Sequence, residues 1–219
     1  MSLPSRSLLS SPILWAVLAA GLLPLSGCTQ DQASSSQTDT LQTQTLAPAP
    51  ETTVGDTTVD ADVPYVATPQ KTVAAMLELA NVTKNDTVYD LGSGDGRIPI
   101  MAAQRYGAYG VGIEIKPSLV HRARKNAKLS GVSDMVEFRQ QDIFKADFSD
   151  ATVVTMYLFP EVNMKLRPML FEQLEPGTRV VSHSFDMNEW APDSTVHVNN
   201  DVLYLWTIPE KIPDHLTEE

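Results

Sequence analysis

Residues 90–97 read Asp90-Leu91-Gly92-Ser93-Gly94-Asp95-Gly96-Arg97, and they join a short apolar run, 87–91, to a predicted helix, 98–106. The three glycines let the backbone turn tightly and approach a ligand at the edge where open α/β sheets bind their ligands. Their spacing, G-x-G-x-G, differs from the G-x-G-x-x-G of dinucleotide-binding loops. Asp90 and Asp95 would repel a pyrophosphate and attract a sulfonium or an amino group. The loop therefore predicts a site for a positively charged ligand and disfavours an NAD-dependent enzyme.

Helix-like and strand-like segments alternate on both sides of this loop. Apolar residues recur at helical spacing from Val73 to Ala80, which predicts a helix that Thr68 caps and Pro69 opens. After the loop, the sequence predicts strands at 109–115, 136–141, 152–158 and 179–184, a helix at 117–129, and before the last strand a helix that Pro168 splits. Strands that alternate with helices form a parallel sheet with both faces covered.

The end of the chain departs from this alternation. Segments 195–198 and 202–207 are strand-like, and Asn199-Asn200-Asp201 between them is a hairpin signal. The sequence therefore predicts an α/β domain that has a mostly parallel sheet with a C-terminal antiparallel hairpin. This arrangement resembles the Rossmann-like class I methyltransferase fold, which differs from nucleotide-binding dehydrogenases by such a hairpin.

The glycine loop resembles motif I of methyltransferases that use S-adenosyl-L-methionine (SAM). The resemblance implies that SAM is the cofactor and that Asp90 binds its methionine amino group. A turn with a purely structural role is the alternative. The residues that would pass beneath the methionine and ribose are Gly92, Ser93, Gly94, Asp95 and Gly96.

One further acidic residue lies at the end of the second predicted strand, and another follows the third. Glu114 lies where a carboxylate can accept two hydrogen bonds from ribose hydroxyls, with a solvent-facing strand end as the alternative. Asp142 matches the family position that binds the adenine amino group, while Ile143 would pack on the ring. A loop cap is the alternative for Asp142, because aspartate is common at such caps.

Aromatic residues lie at the end of the fourth predicted strand, where family members place residues around the transferred methyl group. Tyr157 and Phe159 could hold an amine by cation–π contact or pack in the core. Glu161 could attract a lysine or remove its proton, because an ammonium must be deprotonated before its nitrogen can attack. Many amino and nucleic-acid methyltransferases have Asn/Asp-Pro-Pro-Tyr-like motifs here, and their absence disfavours a nucleobase acceptor.

Four phrases together resemble a narrower group, the bacterial relatives of the mitochondrial protein-lysine methyltransferases that modify ATP synthase subunit c and the adenine nucleotide translocase. The resemblance spans 63–209, and its phrases are Val63-Pro64-Tyr65-Val66-Ala67-Thr68-Pro69, Tyr89-Asp90-Leu91-Gly92-Ser93-Gly94-Asp95-Gly96-Arg97, Leu158-Phe159-Pro160-Glu161-Val162-Asn163 and Val181-Ser182-His183-Ser184-Phe185-Asp186. It implies N-methylation of a protein lysine or another amine.

The same resemblance suggests which residues surround the acceptor. Tyr65, Tyr157 and Glu161 are the catalytic candidates, and Tyr65 and Thr68 would help to close the site. His183 is either a substrate contact or a structural histidine. Two other functions stay open: a noncatalytic envelope binding module that keeps a SAM-type fold, and methylation of a small molecule. No metal is expected, since the histidines are not closely paired.

The N-terminal part has the pattern of an exported lipoprotein. Residues 1–27 combine Arg6 with an apolar run, as signal peptides do, and Leu25-Ser26-Gly27-Cys28 resembles a lipobox. Cys28 would be lipidated and hold the chain on a lipid bilayer, whereas an uncleaved membrane helix is the alternative. Residues 28–60, rich in Thr, Ser and Gln, predict a disordered tether, and 61–219 form the methyltransferase domain.

Charge and location narrow the partners. With 16 basic and 27 acidic residues the net charge is −11, which disfavours nucleic acid and suits a cationic acceptor. A monomer is expected. The domain would face the periplasm or exterior, and the resemblance to lipoproteins implies that Thr29 after the cysteine permits sorting to the outer membrane. SAM is made in the cytoplasm, which leaves three possibilities open. An external supply of SAM exists, or the domain binds another adenosyl-like ligand without catalysis, or the N-terminal pattern is misread and the domain stays inside.

Overall fold

The computed structural model describes residues 65–216, so the predicted signal peptide, Cys28 and the tether lie outside the described residues. Within this range the helices are α1 (Gln70–Leu79), α2 (Arg97–Tyr106), α3 (Pro117–Leu129) and α4 (Pro160–Gln173). The strands are β1 (Thr87–Leu91), β2 (Tyr109–Glu114), β3 (Val136–Gln140), β4 (Val153–Met156), β5 (Arg179–His183), β6 (Ser194–Val198) and β7 (Asp201–Thr207). None of these helices has the length and apolar character needed to cross a membrane.

The seven strands form one sheet in the order β3-β2-β1-β4-β5-β7-β6. The first five run parallel, and β7 pairs antiparallel with both β5 and β6. The prediction of a mostly parallel sheet with a C-terminal antiparallel hairpin is therefore confirmed. The chain order reverses between β1 and β4, so the connections that follow these two strands run to opposite faces of the sheet and leave a crevice where such sheets bind ligands.

Apolar residues cover both faces of the sheet. On one face, Val73 and Met76 of α1 pack with Ile98 of α2 against strand residues such as Val88. On the other face, Leu166 of α4 belongs to a second cluster with residues of β1, β2, β4 and β7. Both clusters are buried, so the sheet is a rigid platform whose carboxyl edge holds the loops in place.

Two predictions about local structure are wrong. Thr68 does not cap α1, because the helix begins at Gln70 and the Thr68 hydroxyl instead lies 3.3 Å from Nδ1 of His183. Pro168 does not split α4, which is continuous. Leu166 and Leu170 are fully buried on either side of the proline, and this packing outweighs the backbone hydrogen bond that proline cannot make.

The fourth strand is shorter than predicted. It ends at Met156 rather than at residue 158, so Tyr157 and Leu158 leave the sheet. Both residues line the crevice at the carboxyl edge. The apolar run in the sequence therefore continues past the strand into the wall of the site.

Candidate active site

A cleft opens at the carboxyl ends of β1, β2 and β4. Its walls are the glycine loop after β1, the residues that follow β2, β3 and β4, and a segment before α1. We call this segment, residues 65–68, the strap. The topology brings together residues from separate parts of the chain, and most of the predicted SAM-binding residues line this single cleft, namely Asp90, Gly92, Ser93, Gly94, Asp95, Glu114, Asp142 and Ile143.

Asp90 is a buried carboxyl group at the base of the cleft. It is 3% exposed, and Oδ1 accepts a hydrogen bond of 2.8 Å from the Thr155 hydroxyl on the neighbouring strand. Burial raises the pKa of Asp90 to about 7, and the nearby carboxylates of Glu114 and Asp95 act in the same direction, while the Thr155 hydrogen bond opposes them. A cationic group beside Asp90 would favour its ionised form.

Glu114 is a second buried carboxylate, and it holds the glycine loop. Its Oε2 accepts a hydrogen bond from the Gly94 N–H and its Oε1 accepts one from the Lys116 N–H, each 2.9 Å long. Glu114 is therefore not the solvent-facing strand end that was the alternative. Each oxygen keeps a further lone pair, so the carboxylate can also accept hydrogen bonds from a ligand in the cleft.

The strap lies directly over the glycine loop. A Cβ at Gly94 would stand 2.3 Å from Cε2 of Tyr65, so only glycine permits this approach. Arg97 joins the two segments: its Nη1 donates to the Thr68 carbonyl at 2.6 Å, and its Nη2 lies 3.5 Å from the Tyr65 hydroxyl. Tyr65 and Thr68 thus line the cleft, as the resemblance implied.

Arg97 also binds Asp95. Its Nε and Nη2 donate hydrogen bonds of 2.8 and 2.6 Å to the two carboxylate oxygens. Partial burial acts to raise the pKa of Asp95, but these hydrogen bonds outweigh it and hold the pKa below its usual value. Asp95 thus forms an ion pair with Arg97, the residue that holds the strap. The role of Arg97 was missed, because its Thr68 partner is 29 positions away and nothing in the local pattern indicates it.

Asp142 is a loop cap, as the alternative predicted, and it also lies in the cleft. Its Oδ1 accepts a hydrogen bond of 3.0 Å from the Phe144 N–H and caps the short 3-10 turn Ile143–Lys145. The residue also lines the cleft beside Ile143. Capping fixes the orientation of the carboxyl group, and it leaves the second oxygen, 3.5 Å from Nζ of the exposed Lys145, near the cleft wall.

The catalytic candidates do not all lie in the cleft. Tyr65 and Tyr157 line it, whereas Glu161 is exposed on the first turn of α4 and outside the lining. His183 is buried beneath Tyr157, with ring centroids 3.9 Å apart. Its Nδ1 faces Thr68 and its Nε2 lies 3.3 Å from Oδ1 of Asp201. These contacts favour the structural role for His183.

The residues of the cleft fit SAM. Asp90 and Glu114 supply carboxylates for an amino group and for ribose hydroxyls, and Gly94 gives the close backbone approach. Ser93 is 5% exposed, and its Oγ has no hydrogen-bond partner among the described residues, so it is available to a ligand. Ile143, Leu158 and neighbouring apolar side chains provide a surface for an adenine ring.

The strand order, the C-terminal hairpin and the acidic glycine-loop cleft define a class I SAM-dependent methyltransferase. The family model of the ANTKMT methyltransferase domain matches residues 90–194. A protein-lysine N-methyltransferase of Saccharolobus islandicus is 44% identical over 153 residues, which are 68% of this chain and 95% of that protein. The chain belongs to the same family, and the resemblance to these methyltransferases is confirmed.

A second relative and a solved structure are also similar to this chain. The adenine nucleotide translocase lysine N-methyltransferase of Mus musculus is 34% identical, and the match covers 67% of this chain but only 63% of the mouse protein. The crystal structure of an RNA methyltransferase from Salinibacter ruber with S-adenosyl-L-homocysteine is 66% identical, with a TM-score of 0.68. The match covers 69% of this chain and 99% of the Salinibacter chain. SAM is therefore the cofactor, and the protein is an enzyme.

Proposed function

We propose that the protein transfers the methyl group of SAM to the side-chain nitrogen of a lysine in a protein acceptor. The observation that carries this proposal is the chemistry of the cleft wall at Tyr157. An aromatic ring lines the cleft there, and the exposed carboxylate of Glu161 lies four residues further along the chain. Aromatic faces and carboxylates both attract an ammonium group. The Saccharolobus relative, named a protein-lysine N-methyltransferase, supports the same acceptor.

The proposal assigns the cofactor contacts to named residues. Asp90 holds the methionine amino group, Glu114 accepts hydrogen bonds from the ribose hydroxyls, and Asp142 accepts one from the adenine amino group while Ile143 packs on the ring. These assignments are supported by the burial of the first two carboxylates and by the position of all four residues in the cleft. The remaining contacts are assigned to the backbone of the glycine loop at Gly92, Ser93, Gly94 and Asp95. Gly96 was predicted with them, but it is not in the cleft lining and packs against Phe138 and Ala123.

The chemistry requires position more than acid–base groups. When bound, SAM supplies a methyl group on a positively charged sulfur, and the acceptor nitrogen takes it as the carbon–sulfur bond breaks with its electrons left on sulfur. The chain excludes water with the strap and holds the acceptor in line. Because Glu161 lies outside the cleft lining, we assign it attraction of the cation, and the lysine proton leaves to solvent.

RNA is the second candidate acceptor, because the Salinibacter structure is that of an RNA methyltransferase. Segment 61–219 has 15 basic and 22 acidic residues, and the cleft itself contains four carboxylates. A phosphate backbone is repelled by such a surface, and RNA-binding domains are commonly basic. The charge of the domain therefore favours lysine over RNA.

The test compares acceptors directly. We expect the purified full-length chain to transfer tritiated methyl groups from SAM to poly-L-lysine, with the label recovered in methylated lysine after acid hydrolysis. Poly-L-arginine is the matched polycation without a lysine nitrogen, and it should stay unlabelled. Total RNA is the third arm. Label in nucleosides, with none in lysine, would assign the enzyme to RNA instead.

We also propose that Cys28 is lipidated and holds the domain on the outer face of a membrane. The proposal is supported by the lipobox-like Leu25-Ser26-Gly27-Cys28 and by the single cysteine of the chain. A monomer on a tether of residues 28–60 would reach acceptors near the bilayer.

A substitution at the lipobox tests this anchor. In cells that express the full-length chain, we expect native protein in the membrane fraction and the Cys28→Ser variant to stay unprocessed, because lipid attachment to the thiol precedes cleavage. Immunoblots of fractionated cells measure both the size and the location of the chain. If Cys28→Ser and native chains have the same size and the same membrane fraction, an uncleaved membrane helix is the correct interpretation.

A further inference from the structure

Three aromatic rings extend from the cleft to the surface. Tyr157 lines the cleft, and its ring lies parallel to that of Phe185, with centroids 6.3 Å apart and an interplanar angle of 20°. Phe159 contacts Phe185 edge-on, with centroids 6.0 Å apart, and is 37% exposed. We call these three residues the aromatic path. Phe185 is its central member, and it comes from the loop after β5, whereas the other two follow β4.

Buried polar groups fix the loop that carries Phe185. The preceding residue, Ser184, has a φ of 66°, which is rare for a residue other than glycine. Asn163, fully buried in α4, donates its side-chain amide to the carbonyls of Phe185 and Asp186 at 3.3 Å each. The Ser182 hydroxyl donates to the Phe185 carbonyl at 2.6 Å. Buried hydrogen bonds thus hold a strained loop in one position.

Carboxylates flank the outer end of the aromatic path. Glu161 stands two residues after Phe159, and Asp186 follows Phe185 directly. Both side chains are exposed. Such a surface attracts a cationic side chain, whose methylene stem can pack on the rings while the charged end is drawn by the aromatic faces and the carboxylates. The same surface repels phosphate.

We propose that Tyr157, Phe159 and Phe185 bind the acceptor lysine and lead its nitrogen into the cleft, with Phe185 as a residue that determines specificity for an amine. Asn163 and Ser182 are positioning residues that act through Phe185. This inference rests on the proposed function, because it assigns the binding site of the lysine that the function requires. It also links two phrases of the sequence, because Asn163 of 158–163 holds the backbone of Phe185 in 181–186.

The experiment measures two Michaelis constants in the full-length chain, one for poly-L-lysine and one for SAM. Phe185→Ala and Phe159→Ala should each raise the KM for poly-L-lysine, by about tenfold and about threefold respectively, because cation–π contacts have this strength. The KM for SAM should be unchanged in both variants. The Phe185→Tyr variant should have the native KM for poly-L-lysine. Tyr109→Ala is the matched control. Tyr109 is 40% exposed and begins β2, so it lies at the amino ends of the strands, away from the cleft.

The outcomes separate the inference from the function on which it rests. If the native chain labels poly-L-lysine and the variants keep its KM, or if both Michaelis constants rise in proportion, the aromatic path does not bind the acceptor. If the native chain transfers no methyl group to lysine, the proposed function fails and the inference fails with it. A circular dichroism spectrum of each variant distinguishes loss of binding from loss of fold, and the exposed Phe159 provides a variant with little effect on the core.

Discussion

At pH 7.5 the Asp90→Asn variant is expected to bind SAM about 100-fold more weakly than the native chain. Loss of a buried carboxylate that pairs with an ammonium group costs roughly 2 to 5 kcal/mol, because the ligand charge is then desolvated without a partner. The substitution preserves shape and the Thr155 hydrogen bond, since an amide oxygen can also accept it. Calorimetric titration of SAM into both proteins measures the difference.

The native chain should also show a pH dependence that the variant lacks. The pKa of Asp90 is raised by burial to about 7, so acidification protonates the group that we propose binds the amino end of SAM. Between pH 7.5 and pH 5.5 the dissociation constant should rise by about tenfold or more, because most of the carboxyl groups are then neutral. For Asp90→Asn the dissociation constant should change little over the same range.

Asp90 should affect the stability of the ligand-free protein in the opposite sense: acidification weakens SAM binding but increases the free energy of unfolding. A carboxyl group whose pKa is higher in the folded than in the unfolded chain binds more protons when folded, so the free energy of unfolding falls as pH rises from about 4 to 7. At pH 8, Asp90→Asn removes this penalty and should increase the free energy of unfolding by up to about 4 kcal/mol, which corresponds to a pKa of about 7 against an ordinary value of 3.8. A variant that is more stable but binds SAM poorly cannot have lost binding through misfolding.

Thr155→Val supplies the matched control for this pH profile. The Thr155 hydroxyl lowers the pKa of Asp90, so its removal should move the midpoint of SAM binding to higher pH without removing the carboxylate. A native profile that is flat between pH 5.5 and 7.5, or a midpoint that Thr155→Val leaves in place, would show that Asp90 does not govern SAM binding.

The parts of the site that the sequence could predict are those set by short stretches of chain. Each strand of a parallel sheet ends at the same edge, so residues at strand ends, such as Asp90, Glu114 and Asp142, could be assigned to one cleft before the structure was known. The periodic apolar residues of α1 and the Asn199-Asn200 turn of the hairpin are local signals of the same kind.

The parts that the sequence could not predict depend on packing between distant residues. Thr68 has the residue type of a helix cap, but its hydroxyl is hydrogen-bonded to His183, 115 positions away. Arg97 clamps the strap through a carbonyl, which any residue has, so no residue type marks the partner. Glu161 follows an aromatic segment in sequence, yet the start of α4 turns it to the surface. Propensity is a weak guide wherever tertiary contacts decide.

Gly96→Ala is expected to lower the free energy of unfolding by about 3 to 4 kcal/mol. Gly96 ends the glycine loop with a φ of 79°, and a Cβ there would stand 2.5 Å from Cζ of Phe138 and 2.8 Å from Cβ of Ala123. Both neighbours are buried, in β3 and α3, so they cannot move without disturbing the core. Backbone strain and overpacking each cost roughly 1 to 3 kcal/mol, and here they add.

Gly131→Ala separates these two costs. Gly131 has a φ of 69°, but a Cβ there would meet no atom within 4 Å, so the substitution should cost only the strain, about 1 kcal/mol. Urea unfolding of both variants measures the difference, and Phe138→Leu should cost less in the Gly96→Ala chain than in the native one, because it frees the space that the new methyl group needs. Equal losses at Gly96 and Gly131 would mean that strain alone fixes the loop. A larger loss at Gly96, together with weaker SAM binding, would mean that the packing of β3 and α3 against the loop sets the shape of the cofactor site.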